Sequence, residues 1–475
     1  MTLTNANIPV VNRKSRQMMT PAPVASAAWG FVVTDINETW NLAMFVNSAV
    51  LQYLYHHDED AWVQIPSGAL SGTFWAWACG GRHRRSNAVT ANGWTTTTAT
   101  TTGTINWLAK NKTIRMLTGS QAGKTATISS VTVIPWGTST ITFSPAFSGA
   151  VVNTDTFDVS VGRFYVMSAG TTAAWSFKSY DPFTSTWTSL ATAGLPATWA
   201  TDWKLVSTSN GEVLSSGTAT SATGTTLTCS TKTWTVNNWY NYQIRITAGL
   251  GIGQVRTITS NTATQLTISV AWTTTPDATS EFEVTSNDDF MYLLGNNAVT
   301  MYRYSISGNT WSTLAPTTAR SAAPSTGMSA NLAGKTGDAI FDSENNILAW
   351  RYIYSFRWWA GTILDRFDIG GGTAGAGAWA AITYPWAVET LTTGSSYGIY
   401  SKYLYIKKDA TNRFFKYSIT GNYIEPLSTL LYTDWAAVLG DKLWLKVYQE
   451  SGVDKVLWLY NLRNTGTEVH RLMLF

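Results

Sequence analysis

Internal repetition constrains this chain more than any other feature, because a short unit that recurs must bury its apolar face against copies of itself. One signature runs through most of the sequence. Tyr55 is followed seven residues on by Trp62 and then by Ile65; Tyr180, Trp187 and Leu190 keep that spacing, as do Tyr304, Trp311 and Leu314. Tyr417, Ile424 and Leu427 keep it with isoleucine for tryptophan, while Phe367, Trp379 and Ile382 stretch it around "GGGTAGAG". Tyr460, Val469 and Leu472 give a further, looser copy. A short aromatic-aliphatic segment precedes most copies: "RFYVMSAG", "DFMYLLGN", "KYLYIKK" and "KLWLKVY". Each unit reads as strand, strand, polar turn, then a tryptophan that packs back on its own sheet. With insertions removed, the tryptophan positions recur at about 45 to 70 residues, the blade period of a β-propeller.

A second repetition accounts for the insertions. "IRMLTGSQAGKTATI" (Ile114–Ile128) lies on "IRITAGLGIGQVRTI" (Ile244–Ile258) without a gap, and "TITFSPAFSGAVVNTDTFDV" lies on "QLTISVAWTTTPDATSEFEV". The first copy runs from about Trp94 to Val159 and the second from about Gly217 to Val284. Gly119, Gly123, Lys124 and Thr125 imitate a phosphate-binding loop, which requires four free residues between its first glycine and Gly-Lys-Ser/Thr. Here there are three, and Lys124 meets Gln254 in the second copy while Gly119 and Gly123 meet Gly249 and Gly253. A phosphate site would lose its clamp, whereas a turn between strands loses nothing, so the segment is expected to be a glycine turn. The spacing to the flanking tryptophans places each module at an equivalent joint between successive blades, where a surface loop with neighbouring ends accepts an insertion.

Composition agrees. Charged residues make up only 13% of the 475-residue chain and aromatics another 13%, with 24 tryptophans. The runs of Ala, Leu, Glu and Lys that build long helices are scarce, and β-branched and aromatic residues favour strands. The fold class expected is all-β: a β-propeller of about six blades with two inserted homologous small β modules. The expected division is an N-terminal arm over 1–35, propeller over 36–90, 160–212 and 287–475, module 1 over 91–159 and module 2 over 213–286. A formal charge of +4 is too small for wholesale nucleic-acid binding. The basic cluster "GGRHRRS" (Gly80–Ser86) reads as a solvated loop. No apolar run is long enough to span a bilayer, and the start, "NRKSRQMMTPAPVASAAWG", is too broken by prolines to read as a cleaved signal. Cys79 and Cys229 have neither metal nor redox spacing and read as free thiols suited to a reducing cytoplasm.

The search for chemistry yields no catalytic, cofactor or metal residue. His56, His57, His83 and His470 give no zinc spacing backed by a third ligand. "YHHDED" (Tyr55–Asp60) has the groups for a divalent cation, but it occupies the turn of a blade and reads as a polar turn. "GNTW" (Gly308–Trp311) matches the tail of the sialidase Asp-box with Ile306 at the aspartate position. Carboxylate pairs such as Asp434 and Asp441 exist, yet sequence does not fix their separation. The repeat tryptophans read as core. "RWW" (Arg357–Trp359), off the repeat, is the place where stacking on a sugar weighs most.

"RYSISGNTWSTLAP" and "SYDPFTSTWTSLATAG" resemble kelch-type propeller blades, although the double glycine of that family appears only in "WACGG". The threonine-rich modules, with their glycine turn and "AWTTTPDATSEFEV" ending, resemble β modules of bacteriophage virion proteins. In short-tailed phages the tail nozzle is a ring of propeller-bearing subunits below the portal and adaptor. That resemblance implies a non-enzymatic structural protein of the virion, a tail nozzle or tube component that conducts DNA during ejection. It implies a homo-oligomeric ring of six, contacts with the tail adaptor and fibres, passage of DNA without sequence-specific binding, and assembly in the host cytoplasm. The alternative is a host-glycan or receptor-binding fibre protein.

Overall fold

A computed structural model describes residues 16–19, 33–37, 42–46, 52–56, 60–68, 77–81, 89–101, 113–134, 138–159, 163–169, 175–181, 185–196, 204–207, 213–287, 289–294, 299–320, 352–356, 363–371, 376–383, 396–400, 403–407, 414–418, 421–427, 442–448, 456–462 and 469–473. Every regular element among them is a strand. The strands β1 (Arg16–Met19), β2 (Val33–Asn37), β3 (Leu42–Val46), β4 (Gln52–His56) and β5 (Ala61–Ile65) come first. β2 to β5 form one antiparallel four-stranded sheet in chain order. The next blade begins with β6 (Trp77–Gly81), leaves for a module, and resumes with β13 (Arg163–Ala169), β14 (Trp175–Asp181) and β15 (Thr186–Ser189).

That first module comprises β7 (Val89–Asn92), β8 (Thr98–Thr101), β9 (Thr113–Met116), β10 (Thr125–Ile134), β11 (Thr138–Ser144) and β12 (Thr156–Val159), closed into a barrel in the order β10-β11-β8-β7-β12-β9. The third blade repeats the plan. β16 (Lys204–Ser207) is followed by a module and then by β24 (Phe290–Leu294), β25 (Met301–Ser305) and β26 (Thr310–Leu314). The second module contains β17 (Val213–Thr218), β18 (Ser221–Ala222), β19 (Thr226–Thr228), β20 (Gln243–Ala248), β21 (Val255–Asn261), β22 (Gln265–Ile268) and β23 (Glu281–Thr285). Its neighbours run β17-β23-β20-β21-β22-β19-β18. The consecutive pieces β17 and β18 share the place that β7 holds alone, one pairing with β23 and the other with β19.

A three-stranded sheet, β27 (Tyr352–Phe356), β28 (Ile363–Asp368) and β29 (Ala378–Thr383), and a four-stranded one, β30 (Ser396–Tyr400), β31 (Tyr403–Lys407), β32 (Phe414–Ser418) and β33 (Tyr423–Leu427), follow. The last blade holds β34 (Lys442–Tyr448), β35 (Val456–Leu462) and β36 (Val469–Met473), with β1 as its outer strand. The first strands of successive blades lie side by side: β30 by β34, β34 by β2, β2 by β6 and β6 by β16. Among the described residues the sheets are arranged as in a β-propeller, with two inserted modules.

Two expectations change. The segment expected as an arm supplies β1, in register with β36 from Arg16↔Leu472 to Met19↔Val469. β1 is thereby the outer strand of the sheet built by β34, β35 and β36. The modules also sit inside blades, between the innermost strand and the next, rather than at the joints between blades. Adjacent strands of a blade run antiparallel, so the connection that carries a module emerges on the same rim as the turn between the third and fourth strands.

Burial follows the period-2 pattern of the strands. Tyr165, Met167 and Phe177 of the second blade pack with Leu205, Met291, Leu293, Tyr304 and Trp311 of the third. Tyr292, Leu294 and Met301 then pack with Ile353, Phe367 and Trp379 of the fourth. Each such side chain contributes about 1.5–3 kcal/mol when fully buried, so the joints between blades are themselves core.

Candidate functional site

The glycine turns that opened the functional question are the same structure built twice. Met116 N–H donates to Lys124 O (3.0 Å), Gly123 N–H to Met116 O (2.9 Å), Ala122 N–H to Gly119 O (3.2 Å) and Lys124 N–H to Gln121 O (3.0 Å). In the second module Ile246 donates to Gln254 O (3.0 Å), Gly253 to Ile246 O (2.8 Å), Ile252 to Gly249 O (3.3 Å) and Gln254 to Gly251 O (3.3 Å). Gly119 and Gly123 have φ of 80° and 83°, and Gly249 and Gly253 have 75° and 85°, a region that side chains with a Cβ rarely adopt. A phosphate loop presents its amides to the ligand; here the amides of 122, 123 and 124 donate within their own turn.

The residue after each turn differs in what it does. The Gln254 amide knits the turn to the β22–β23 connection: its Oε1 accepts from Thr273 N–H (2.7 Å) and Thr274 N–H (3.1 Å), and its Nε2 donates to Thr274 O (2.7 Å). Arg256 reinforces this by donating to Ala271 O (3.1 Å) and Thr273 Oγ1 (3.0 Å) with its guanidinium 5.6 Å from the Trp272 ring centre. The first module has Lys124, Ala126 and Phe147 at those three places.

The two turn-bearing faces also meet each other. Arg115 Nη2 lies 3.3 Å from Glu283 Oε1. A Cβ on Gly123 would stand 3.1 Å from Ala248 Cβ, and one on Gly253 would stand 3.7 Å from Leu117 Cδ2. Positions 117, 118 and 123 of one module correspond to 247, 248 and 253 of the other, so the contact is reciprocal, like that of a two-fold dimer. Module 2 is further tied to the fourth blade, where Asn241 Nδ2 donates to Ile369 O (3.0 Å).

The blade signature resolves into a cross-strand pair. Tyr55↔Trp62, Tyr180↔Trp187, Tyr304↔Trp311, Phe367↔Trp379 and Tyr417↔Ile424 stand directly opposite one another on the last two strands of their sheets. In the last copy Tyr460 is opposite Arg471, and Val469 is opposite Leu462. That copy therefore matches in sequence but not in register.

The tyrosine hydroxyl then pins the turn. Tyr55 donates to Asp60 Oδ1 (2.7 Å), Tyr304 to Asn309 Oδ1 (2.6 Å) and Tyr417 to Asn422 Oδ1 (2.9 Å). Asp60, Ser185, Asn309 and Asn422 all have positive φ, between 47° and 55°. Burial pushes Tyr180 and Tyr417 up to about 12 and Tyr304 higher still, which keeps these phenols protonated, so that Tyr304 and Tyr417 remain donors to Asn309 and Asn422. The fifth residue after the tyrosine, Asp, Ser or Asn, was the readable signal that the spacing of aromatics alone overlooked.

The tryptophans do more than pack on their own sheet. Trp187 Nε1 donates to Pro66 O (2.7 Å) and Trp311 Nε1 to Ala191 O (3.0 Å), each reaching the equivalent carbonyl of the preceding blade. Asn309 Oδ1 also accepts from Ala191 N–H (2.8 Å). The signature is thus an inter-blade clip. In place of the Asp-box aspartate, Asp289 accepts from Ser307 N–H (2.7 Å) and Ser305 Oγ (2.8 Å).

Of the remaining sequence candidates, Asp60 is held by Tyr55, while residues 57–59, the basic residues 82–85, Arg357–Trp359, Asp434 and Asp441 lie outside the described residues, as do the side chains of His56, Cys79 and His470. Cys229 is buried and free. No group of three or more metal-ligating side chains occurs among the described residues, and no helix there is long and apolar enough to cross a membrane.

No family model matches the chain, and no curated protein matches it. Among solved structures it is similar to YCF48 from Cyanidioschyzon merolae, at 9% identity and a TM-score of 0.32 over 96% of this chain and 98% of that one. The Malassezia sympodialis allergen Mala s 1 is similar at 9% identity and 0.32, over 95% and 96%. A Bacteroides ovatus auxiliary nutrient binding protein is similar at 9% and 0.23, over 83% and 72%. Scores this low add nothing to the propeller assigned above from strand order and pairing.

Proposed function

We propose that the chain is a non-catalytic structural subunit of a bacteriophage virion, a tail nozzle component that forms a closed ring on the tail axis and conducts DNA during ejection. The observation that carries this reading is the duplicated module. Two copies of a β module resembling those of virion proteins leave equivalent places in adjacent blades and dock through equivalent faces, which places a paired projection on one rim of the propeller. Five of the seven exposed large apolar side chains among the described residues, Val152, Val213, Val236, Leu250 and Val270, lie on the modules, and neighbour contacts use such surface.

With so few charges, little like-charge repulsion keeps copies apart. Closed cyclic symmetry suits a protein that surrounds a channel, and the family resemblance gives six subunits, an adaptor above and fibres beside. A wall of near-neutral composition passes DNA without gripping it. Native mass spectrometry of the full chain tests the assembly step: a closed ring, six by the resemblance, is expected. A monomer at all concentrations, or a trimer as in fibre proteins, would count against it.

A further inference from the structure

We propose that Asn92–Gly93 is a spontaneous deamidation site that ages module 1 and has no counterpart in module 2. Asn92 is the last residue of β7 and Gly93 begins the turn after it; both are exposed. Gly93 has φ of 58°. A Cβ there would meet only Thr100 Oγ1, at an ordinary van der Waals distance of 3.7 Å. With no side chain on Gly93, nothing shields its amide nitrogen from the Asn92 side chain, and the turn retains the backbone freedom that glycine brings.

The chemistry needs only water. Solvent base removes the Gly93 N–H proton, the nitrogen attacks Asn92 Cγ, a C–N bond forms, and the side-chain nitrogen leaves as ammonia. The resulting five-membered imide takes up one water at either carbonyl. Breaking one C–N bond gives aspartate; breaking the other gives isoaspartate, in which the main chain runs through the former side-chain carbon. Nothing is oxidised or reduced.

The position makes the change consequential. β7 closes the barrel with short ladders, Val89↔Phe157 and Thr90↔Thr156 on one side and Ala91↔Thr101 and Asn92↔Thr100 on the other. The next residue, Trp94, packs edge-on against Phe157 with centroids 5.6 Å apart. An isoaspartyl link puts an extra backbone atom and a negative charge between that ladder and that ring.

The second module lacks the pair. The turn Thr95 N–H to Thr98 O recurs as Thr223 N–H to Thr226 O, and that alignment sets Thr220–Ser221 opposite Asn92–Gly93. The other Asn-Gly pair, Asn210–Gly211, lies outside the described residues and falls in a different peptide.

The full-length protein is incubated at mildly alkaline pH and mapped by peptide mass spectrometry with isoaspartate detection. The Asn92 peptide is expected to convert to aspartate and isoaspartate ahead of those carrying the exposed Asn237 and Asn422, and faster as pH rises. Conversion should be lost in Asn92→Gln and slowed in Gly93→Asn, which keeps a residue tolerant of positive φ while covering the amide. Aged protein should show faster hydrogen exchange in β7 and β8 than fresh protein, with β18 and β19 unchanged. Conversion of Asn92 no faster than that of Asn237 and Asn422, or exchange rising equally in both modules, overturns the proposal.

Discussion

Module 1 and module 2 share strand order and turn bonds, yet they are stabilised differently. The core of the first includes Ile114, Met116, Ile141, Phe143 and Phe157 and continues into Leu54, Ile65, Phe164, Val166 and Tyr180 of the blades. The second has a core of its own, in which, among the described residues, Trp239, Tyr242, Ile244, Ile246, Trp272 and Phe282 pack with residues of the module. The backbone plan of the duplicated module is thus fixed by glycines and ladder bonds, while the side chains adapt to whether a copy shares its apolar core with the blades or keeps one of its own.

The largest effects should separate the cores. Phe157 and Phe282 are equivalent and fully buried, so Phe157→Ala and Phe282→Ala should each cost about 3–5 kcal/mol. Hydrogen exchange should rise only within 213–285 for Phe282→Ala, but also in β4, β13 and β14 for Phe157→Ala. If both responses stay inside their modules, the distinction fails. Next come the glycines. Alanine at either Gly119 or Gly249 carries about 1–2 kcal/mol of left-handed strain. At Gly249, however, its Cβ meets the main-chain carbonyl oxygen of Thr279, whereas at Gly119 it meets a side chain, the Asp155 carboxylate. Gly249→Ala should therefore lower the melting midpoint more than Gly119→Ala; the reverse order would show that the two turns are not supported as described.

Smaller effects test the polar exchange. Gln254→Lys removes hydrogen bonds to Thr273 and Thr274 and should cost about 1–2 kcal/mol, while Lys124→Gln should fall within about 0.5 kcal/mol. Equal costs in denaturant melts would mean that the Gln254 network contributes nothing. Smallest is the inter-module ion pair. With side chains of Arg115 and Glu283 19% and 16% exposed, Arg115→Ala should cost about 1 kcal/mol or less, and the difference should shrink in high salt.

Much of this was legible in the sequence. The gapless match of Ile114–Ile128 with Ile244–Ile258 identified the duplication, and the exchange of Lys124 for Gln254 identified the turn, because a backbone-determined element keeps its glycines and releases its side chains. The aromatic spacing identified the blades. What it did not carry was phase. A period says how often a unit recurs but not which strand is innermost, so the modules were expected between blades rather than after β6 and β16, and β1 was expected as an arm. Nor does spacing name partners across a joint. Trp187 and Trp311 donate to Pro66 and Ala191 more than a hundred residues away, a contact made only where neighbouring blades pack. Tyr460 and Val469 show the converse: the sequence pattern matches, but Tyr460 stands opposite Arg471 and Val469 opposite Leu462.

The central claim, a propeller ring with paired modules on the tail axis, is tested most directly by cryo-electron microscopy of purified particles that contain this chain. The account predicts copies arranged with cyclic symmetry around the DNA channel below the portal, each a six-bladed disc with two adjacent barrels on one rim, placed at subunit contacts or on the outside of the ring. Density for this chain only at fibre tips, or its absence from intact particles, would contradict it.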